Sequence, residues 1–124
     1  QDPKTKVEDN LFSMDGPAIY KIARKRAYKM VQKTFKSVEF EKSDVDWVIP
    51  HQASEKGVTA YHEYGGFEKD KIINIVSKTG NCVSASLPMA FVTAIQDGRI
   101  KRGDLIYFIG TGAGLSMACS LMSY

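Results

Sequence analysis

The run VDWVIP, from Val45 to Pro50, constrains this chain more than any other stretch. It is short, β-branched and aromatic, and it ends at a proline, so it reads as a buried strand whose carboxyl end delivers His51 into a loop. A second run of that kind, DLIYFI from Asp104 to Ile109, makes another strand, and KIINIV from Lys71 to Val76 a further one. Near the end, Leu115, Met117, Cys119 and Leu121 alternate with Ser116, Ala118 and Ser120, which is the two-residue period of a fourth strand. Its small-residue face suits close packing against another layer.

Between these runs the apolar period lengthens to three and four. From Pro17 onward, Ala18, Ile19, Ile22, Ala23, Arg26, Ala27, Met30, Val31, Thr34 and Phe35 recur at helical spacing, with Asp15 placed to cap the amino end and Pro17 in the first turn. The opposite face carries Lys21, Arg24, Lys25, Lys29, Lys33 and Lys36 and reads as a solvated surface. Ala53 to Tyr64 is expected to be helical and is stopped by Gly65 and Gly66. Ser84 to Gln96 is a third helix, with Pro88 near its first turn and Gly98 closing it. Residues 1 to 14 are a polar lead-in. Helices and strands in this alternation predict an α/β fold, a mixed sheet with helices packed over it. In such sheets reactive groups gather at the carboxyl ends of strands, which here carry His51, the Gly80 and Asn81 turn, and the Gly110 to Gly114 loop.

Bulk properties exclude more than they assign. With 44% apolar and 25% charged residues in 124, the chain has the make-up of one ordinary soluble domain. A net charge of +3 is far from that of a dedicated nucleic-acid binder. Two cysteines, Cys82 and Cys119, in segments that read as a buried turn and a buried strand, argue against a disulfide scaffold and fit a reducing cytoplasm. No stretch approaches the roughly 18 to 20 continuous apolar residues of a membrane span, and the opening residues lack an apolar signal region. A polar start on Gln1 fits an excised piece of a longer protein.

Few residues are placed for chemistry. His51, in PHQAS, follows a strand directly, although a lone histidine is more often structural than catalytic. His62 lies about 16 Å further along if the intervening segment is helical, too far for a shared metal, so no metal site is implied. Asn81, in TGNCVSAS, sits at a glycine-led turn where asparagine usually supports the backbone. Its amide can also donate, and an asparagine paired with a histidine is a sensible holder of an oxyanion. The loop GTGAG, Gly110 to Gly114, precedes a strand instead of a helix, so dinucleotide binding is rejected in favour of a tight hairpin. Cys82 lies near a helix start but has no adjacent base, and Cys119 reads as core, so the chain has oxyanion donors without an attacking group.

Three segments together, MDGPAIYKIA at 14 to 23, DWVIPHQAS at 46 to 54 and TGNCVSASLPMAFVTAIQDGRIKRGDLIYFIGTGAG at 79 to 114, resemble in order and spacing the carboxyl-terminal half of β-ketoacyl-acyl-carrier-protein synthase III and its thiolase-superfamily relatives. The resemblance runs from about Met14 to Tyr124. It implies a thiolase-like half-domain over residues 15–124 with a mixed sheet of four to five strands, the missing strand preceding Gln1 at the sheet centre. It implies an acyltransferase of fatty acid biosynthesis that joins an acyl-CoA primer to malonyl-acyl carrier protein by decarboxylative Claisen condensation. The nucleophilic cysteine belongs to the absent amino-terminal half, so this half alone is expected to be inactive and to work as part of a homodimer in the cytoplasm.

By the same resemblance, His51 and Asn81 hold the malonyl thioester oxygen. Gly16, Gln52, Ala53, Ser54, Thr111 and Gly112 line the substrate and pantetheine path, and Lys21 and Lys56 dock the acidic carrier protein. No cofactor is implied beyond coenzyme A thioesters and phosphopantetheine-linked substrates. Ser54 stands where the family carries asparagine, Glu63 and Tyr64 where it carries further basic residues, and Thr111 where well-known members carry phenylalanine. Two other readings stay open: a non-catalytic interaction module using the basic helix face, and another thiolase-fold coenzyme A enzyme. Thiolases keep a second reactive cysteine near the final glycine loop, where this chain has Ile109, Gly110 and Thr111.

Overall fold

The computed structural model describes residue 6, residue 11 and residues 13–124, so most of the expected lead-in lies outside the described residues. Helix α1 spans Gly16–Lys36, and Asp15 caps it by accepting from the Ala18 N–H at 3.0 Å. Strand β1 is Trp47–Pro50, α2 is Glu55–Gly65, a single turn α3 is Val76–Thr79, and α4 is Ser86–Gln96. Strands β2, Leu105–Gly112, and β3, Ser116–Ser123, close the chain. Helix α2 begins where Ser54 accepts from the Gly57 N–H at 3.1 Å and ends where Gly66 turns left-handed at φ 67.

The sheet has the order β1-β2-β3. Strands β1 and β2 run parallel, Trp47 facing Ile106 and Pro50 facing Ile109, while β2 and β3 form an antiparallel hairpin from Leu105 opposite Ser123 to Gly112 opposite Ser116. Strand β2 therefore fills the sheet centre and is bonded on both sides. This corrects the expectation that a missing strand occupies that place, since a further strand can add only at an outer edge.

The strand expected over 71 to 76 is also corrected. It shrinks to one bridge, Val48 with Ile72, followed by the Ile73 N–H donating to the Val48 carbonyl at 2.9 Å. Side chains then claim the backbone that a longer strand would need. The Gln52 amide takes the Ile73 carbonyl, its oxygen takes the Ile75 N–H, and Asn74 Oδ1 takes the Val76 N–H. The segment turns into α3 instead, and the described sheet has three strands.

Alternate residues of β2 face opposite layers, as the pleat requires. Leu105, Tyr107 and Ile109 pack with Val45, Val48 and Phe67 against Ala27 and Val31 of α1. Ile106 packs with Ile49, Ile73, Ile75 and Ile100 against Ala90 and Ala94 of α4. The sheet is thus sandwiched between α1 and α4. Ser116, Ala118 and Ser120 of β3 stay exposed, so no described layer covers that small-residue face.

Tyr107 is fully buried among Phe35 and Phe67, and its hydroxyl lies near the Thr34 hydroxyl and the Cys119 sulfur without a well-formed hydrogen bond to either. Burial pushes its ionisation far above the ordinary tyrosine value. A buried hydroxyl that is poorly paired carries a desolvation penalty, so Tyr107→Phe should raise unfolding free energy by up to about 1 kcal/mol, read from the denaturant midpoint. A loss of that size would show that the hydroxyl is paired.

Candidate active site

Because β1 and β2 are parallel, the loops that leave their carboxyl ends start side by side at one edge of the sandwich. His51 follows β1 directly, and its backbone N–H donates to the Ile109 carbonyl of β2 at 2.8 Å. Past Ile109, Gly110 faces Leu87 of α4, which a Cβ there would meet at 3.8 Å, an ordinary contact. Ser86, beside Leu87, accepts from the Cys82 N–H at 3.1 Å, and Cys82 follows Asn81. A continuous path of packing and hydrogen bonds therefore joins the His51 backbone to the Asn81 turn through Gly110 and the start of α4.

The His51 ring is half-buried and makes no hydrogen bond to the described residues. Desolvation lowers its pKa below 6.5, so it is neutral near pH 7 with one ring N–H to donate. An NMR titration of the imidazole should show a midpoint below 6.5. The sign for stability follows: between that midpoint and 6.5 the unfolded chain binds the proton and the folded chain does not. Stability from this group is therefore complete above 6.5 and falls as pH drops through the folded midpoint.

Asn81 is exposed, and its Oδ1 accepts from the Val83 N–H at 2.9 Å. An N–H can bond only to an acceptor, so this contact fixes the carboxamide orientation and leaves Nδ2 as a donor without a partner among the described residues. Val83 stands at φ 51, a strained conformation for a β-branched residue, and the Asn81 oxygen holds its N–H in that turn. Just before, Gly80 has φ 65 and ψ −165, a combination essentially reserved for glycine.

Gln52 requires a correction. Expected to line the pantetheine path, it is fully buried, and its carboxamide makes three hydrogen bonds to backbone: Nε2 to the carbonyls of Pro50 at 2.8 Å and Ile73 at 3.2 Å, Oε1 from the Ile75 N–H at 2.9 Å. Nothing in its one-dimensional context marked this role, because the partners lie up to 23 residues away.

The remaining residues separate into two groups. Ala53 and Ser54 are exposed at the start of α2, where the Ser54 hydroxyl is the helix cap. Thr111 and Gly112 end β2 opposite Met117 and Ser116, and Gly16 opens α1. Lys21 and Lys56 are exposed on adjacent helices, with the Lys56 ammonium 5.3 Å from the centre of the Tyr20 ring. Lys21 also lines an open groove of about 520 Å³ along α1 with Ala18, Ile22, Lys25, Arg26 and Lys29. Arg24 lies 4.0 Å over the Tyr64 ring and donates to its hydroxyl.

His62 donates through Nδ1 to the Phe67 carbonyl at 2.7 Å, a structural bond. The Cys82 thiol lies 3.4 Å from the Thr79 carbonyl with no base beside it, and Cys119 Sγ lies 3.1 Å from Thr34 Oγ1. Both sulfurs are half-buried instead of enclosed. Among the described residues no group of three or more His, Cys, Asp or Glu could hold a metal, and no helix is long and apolar enough to cross a membrane.

A family model described as the carboxyl-terminal part of 3-oxoacyl-[acyl-carrier-protein] synthase III matches residues 35–124. Beta-ketoacyl-[acyl-carrier-protein] synthase III of Thiobacillus denitrificans is 34% identical over 114 residues, covering 92% of this chain and 36% of that protein. The enzyme of that name from Synechocystis sp. is 37% identical over 113 residues, covering 91% and 34%. Among solved structures, 3-oxoacyl-[acyl-carrier-protein] synthase III of Aquifex aeolicus superposes with a TM-score of 0.85 at 32% identity, covering 90% of this chain and 36% of that one. The Pseudomonas aeruginosa enzyme gives a TM-score of 0.87 at 26% identity, covering 94% and 36%. The chain thus spans about a third of the length of the relatives it matches. With its thiolase-like sandwich and a family match running from the end of α1 to the last residue, the chain belongs to the 3-oxoacyl-[acyl-carrier-protein] synthase III family, as its carboxyl-terminal part.

Proposed function

We propose that this chain supplies the oxyanion-holding half of a condensing enzyme that joins an acyl-CoA primer to malonyl-acyl carrier protein with loss of carbon dioxide. Decarboxylation of the malonyl thioester leaves an enolate whose charge gathers on the thioester oxygen. Donors fixed beforehand stabilise that state more than the ground state. What supports the reading is the Asn81 carboxamide, whose oxygen is tied to Val83 so that its NH2 is left without a partner among the described residues, together with the neutral, unbonded ring of His51 just past the carboxyl end of β1. Gly16, Ala53, Ser54, Thr111 and Gly112 form the walls of the thioester path, and the acyl-accepting cysteine comes from an amino-terminal half. By itself the chain is inactive, and in the enzyme it works within a homodimer in the cytoplasm.

Lys21 and Lys56 meet the acidic carrier protein, their ammonium groups steering encounter from adjacent helices. The reading is tested with Asn81→Asp in the full-length enzyme. Aspartate keeps an oxygen for the Val83 N–H, so the turn survives, but it replaces the donor by lone pairs. Carbon dioxide release from malonyl thioester should fall by about 10²–10³ in kcat. Unchanged turnover refutes the role given to Asn81.

A further inference from the structure

We infer that Gln52 is a positioning residue: its buried carboxamide clamps the strand end that presents His51 to the segment that presents Asn81. The inference rests on the proposed roles of that pair and adds a residue that neither touches substrate nor reaches solvent. On one side, Nε2 donates to the Pro50 carbonyl, so the clamp grips β1 immediately before His51. On the other, Nε2 donates to the Ile73 carbonyl and Oε1 accepts from the Ile75 N–H, fixing two backbone groups 21 and 23 residues away.

From Ile75 the order propagates along the chain. Its carbonyl accepts from the N–H groups of Lys78 and Thr79 at 2.9 and 3.1 Å, and from the Thr79 hydroxyl at 3.2 Å. The single turn so formed hands the chain to Gly80, whose N–H donates to the Val76 carbonyl at 2.8 Å, and then to Asn81. A four-residue helix cannot hold its own direction, because one turn fixes many dihedrals for little hydrogen bonding. Its amino end must be anchored from outside. Among the described residues the Ile75 N–H is held by Gln52 alone, so of the contacts that set the bearing of Asn81, with Asn74 on the Val76 N–H and Ser86 on the Cys82 N–H, Gln52 is the one that also grips the strand end before His51.

Glutamine suits the place for a reason of charge. Two carbonyl oxygens and one N–H converge there, and only a neutral group with donors and an acceptor satisfies all three. Gln52→Glu offers one donor when protonated and none when ionised, with a carboxylate then facing two carbonyl oxygens. Gln52→Met keeps the length and removes every hydrogen bond.

Amide hydrogen exchange on the chain and decarboxylation of malonyl thioester by the full-length enzyme test the clamp together. For Gln52→Met, exchange of the Ile75, Lys78, Thr79 and Gly80 amides should rise about tenfold or more, while amides in β2 and α1 keep their protection. The rate kcat should fall about 10²-fold with KM nearly unchanged, the scale of an ångström-sized misplacement. In Gln52→Glu, protection of the same amides and kcat should fall together as pH rises and the carboxyl ionises, a dependence the parent lacks. Should Gln52→Met not fold, the glutamate variant at low pH still decides. Unchanged exchange at 75–80 in either variant overturns the inference, as does a uniform loss across all amides or a change confined to KM. Local loosening without loss of turnover would instead fault the roles of His51 and Asn81, which the exchange data do not depend on.

Discussion

Replacing His51 by alanine in the full-length enzyme is expected to lower the rate of carbon dioxide release from malonyl thioester by about 10²–10³, equivalent to about 2.7–4 kcal/mol of barrier. The ring is half-buried, unbonded to the described residues and neutral, so one ring N–H is available to the group proposed to dock there. The substitution removes a donor that acts on charge developing in the transition state, so kcat falls with little change in KM. His51→Gln, which restores an N–H near the same place, should recover part of the rate. On the proposed reading His51 and Asn81 address one oxygen, so the combined variant should lose less than the sum of the two single losses in free energy. Full turnover by His51→Ala would remove the oxyanion assignment.

The second large effect is on stability. Ile49→Ala is expected to cost about 2–5 kcal/mol, measured as a lower denaturant midpoint at constant slope. Ile49 has no solvent exposure and sits where Ile73, Ile75, Ala90, Ala94, Ile100 and Ile106 meet. The ring of elements around it, β1, β2, α4 and the bridge segment, cannot all close on the void at once. A domain holds only about 5–15 kcal/mol in total, so the variant should be close to unfolding at physiological temperature. A loss below about 1 kcal/mol would mean that the layer between the sheet and α4 repacks freely.

Much of this molecule was legible in one dimension. The period of three and four from Ala18 to Phe35, with Asp15 and Pro17 ahead of it, marked α1 because capping and amphipathicity are local properties. VDWVIP and DLIYFI marked the two parallel strands because burial on a pleated surface favours β-branched and aromatic residues wherever the partner comes from. KIINIV carries the same composition and still fails as a strand, since its outcome depends on hydrogen bonds from Gln52 and Asn74 that no local pattern announces. The small-residue face of β3 read as a packing surface, and the described residues leave it open.

The candidate site divides in the same way. His51 and Asn81 stood out because each follows a boundary, a strand ending in proline and a glycine turn, and a resemblance linked them. Gln52 was placed on the wrong side of the wall, because a glutamine between histidine and alanine gives no sign of whether it points to solvent or to core.

What the sequence alone determined is the set of elements whose signals lie within a few residues: the capped helix, the two apolar strands, the glycine turns, and the chemical types of the donors. Tertiary structure decided the order of the sheet, the collapse of the third expected strand, and the burial of the Gln52 amide against backbone 21 and 23 residues away. The division has one physical cause. Periodicity and capping are set by neighbours along the chain, whereas the satisfaction of a buried polar group depends on whichever backbone the fold brings beside it.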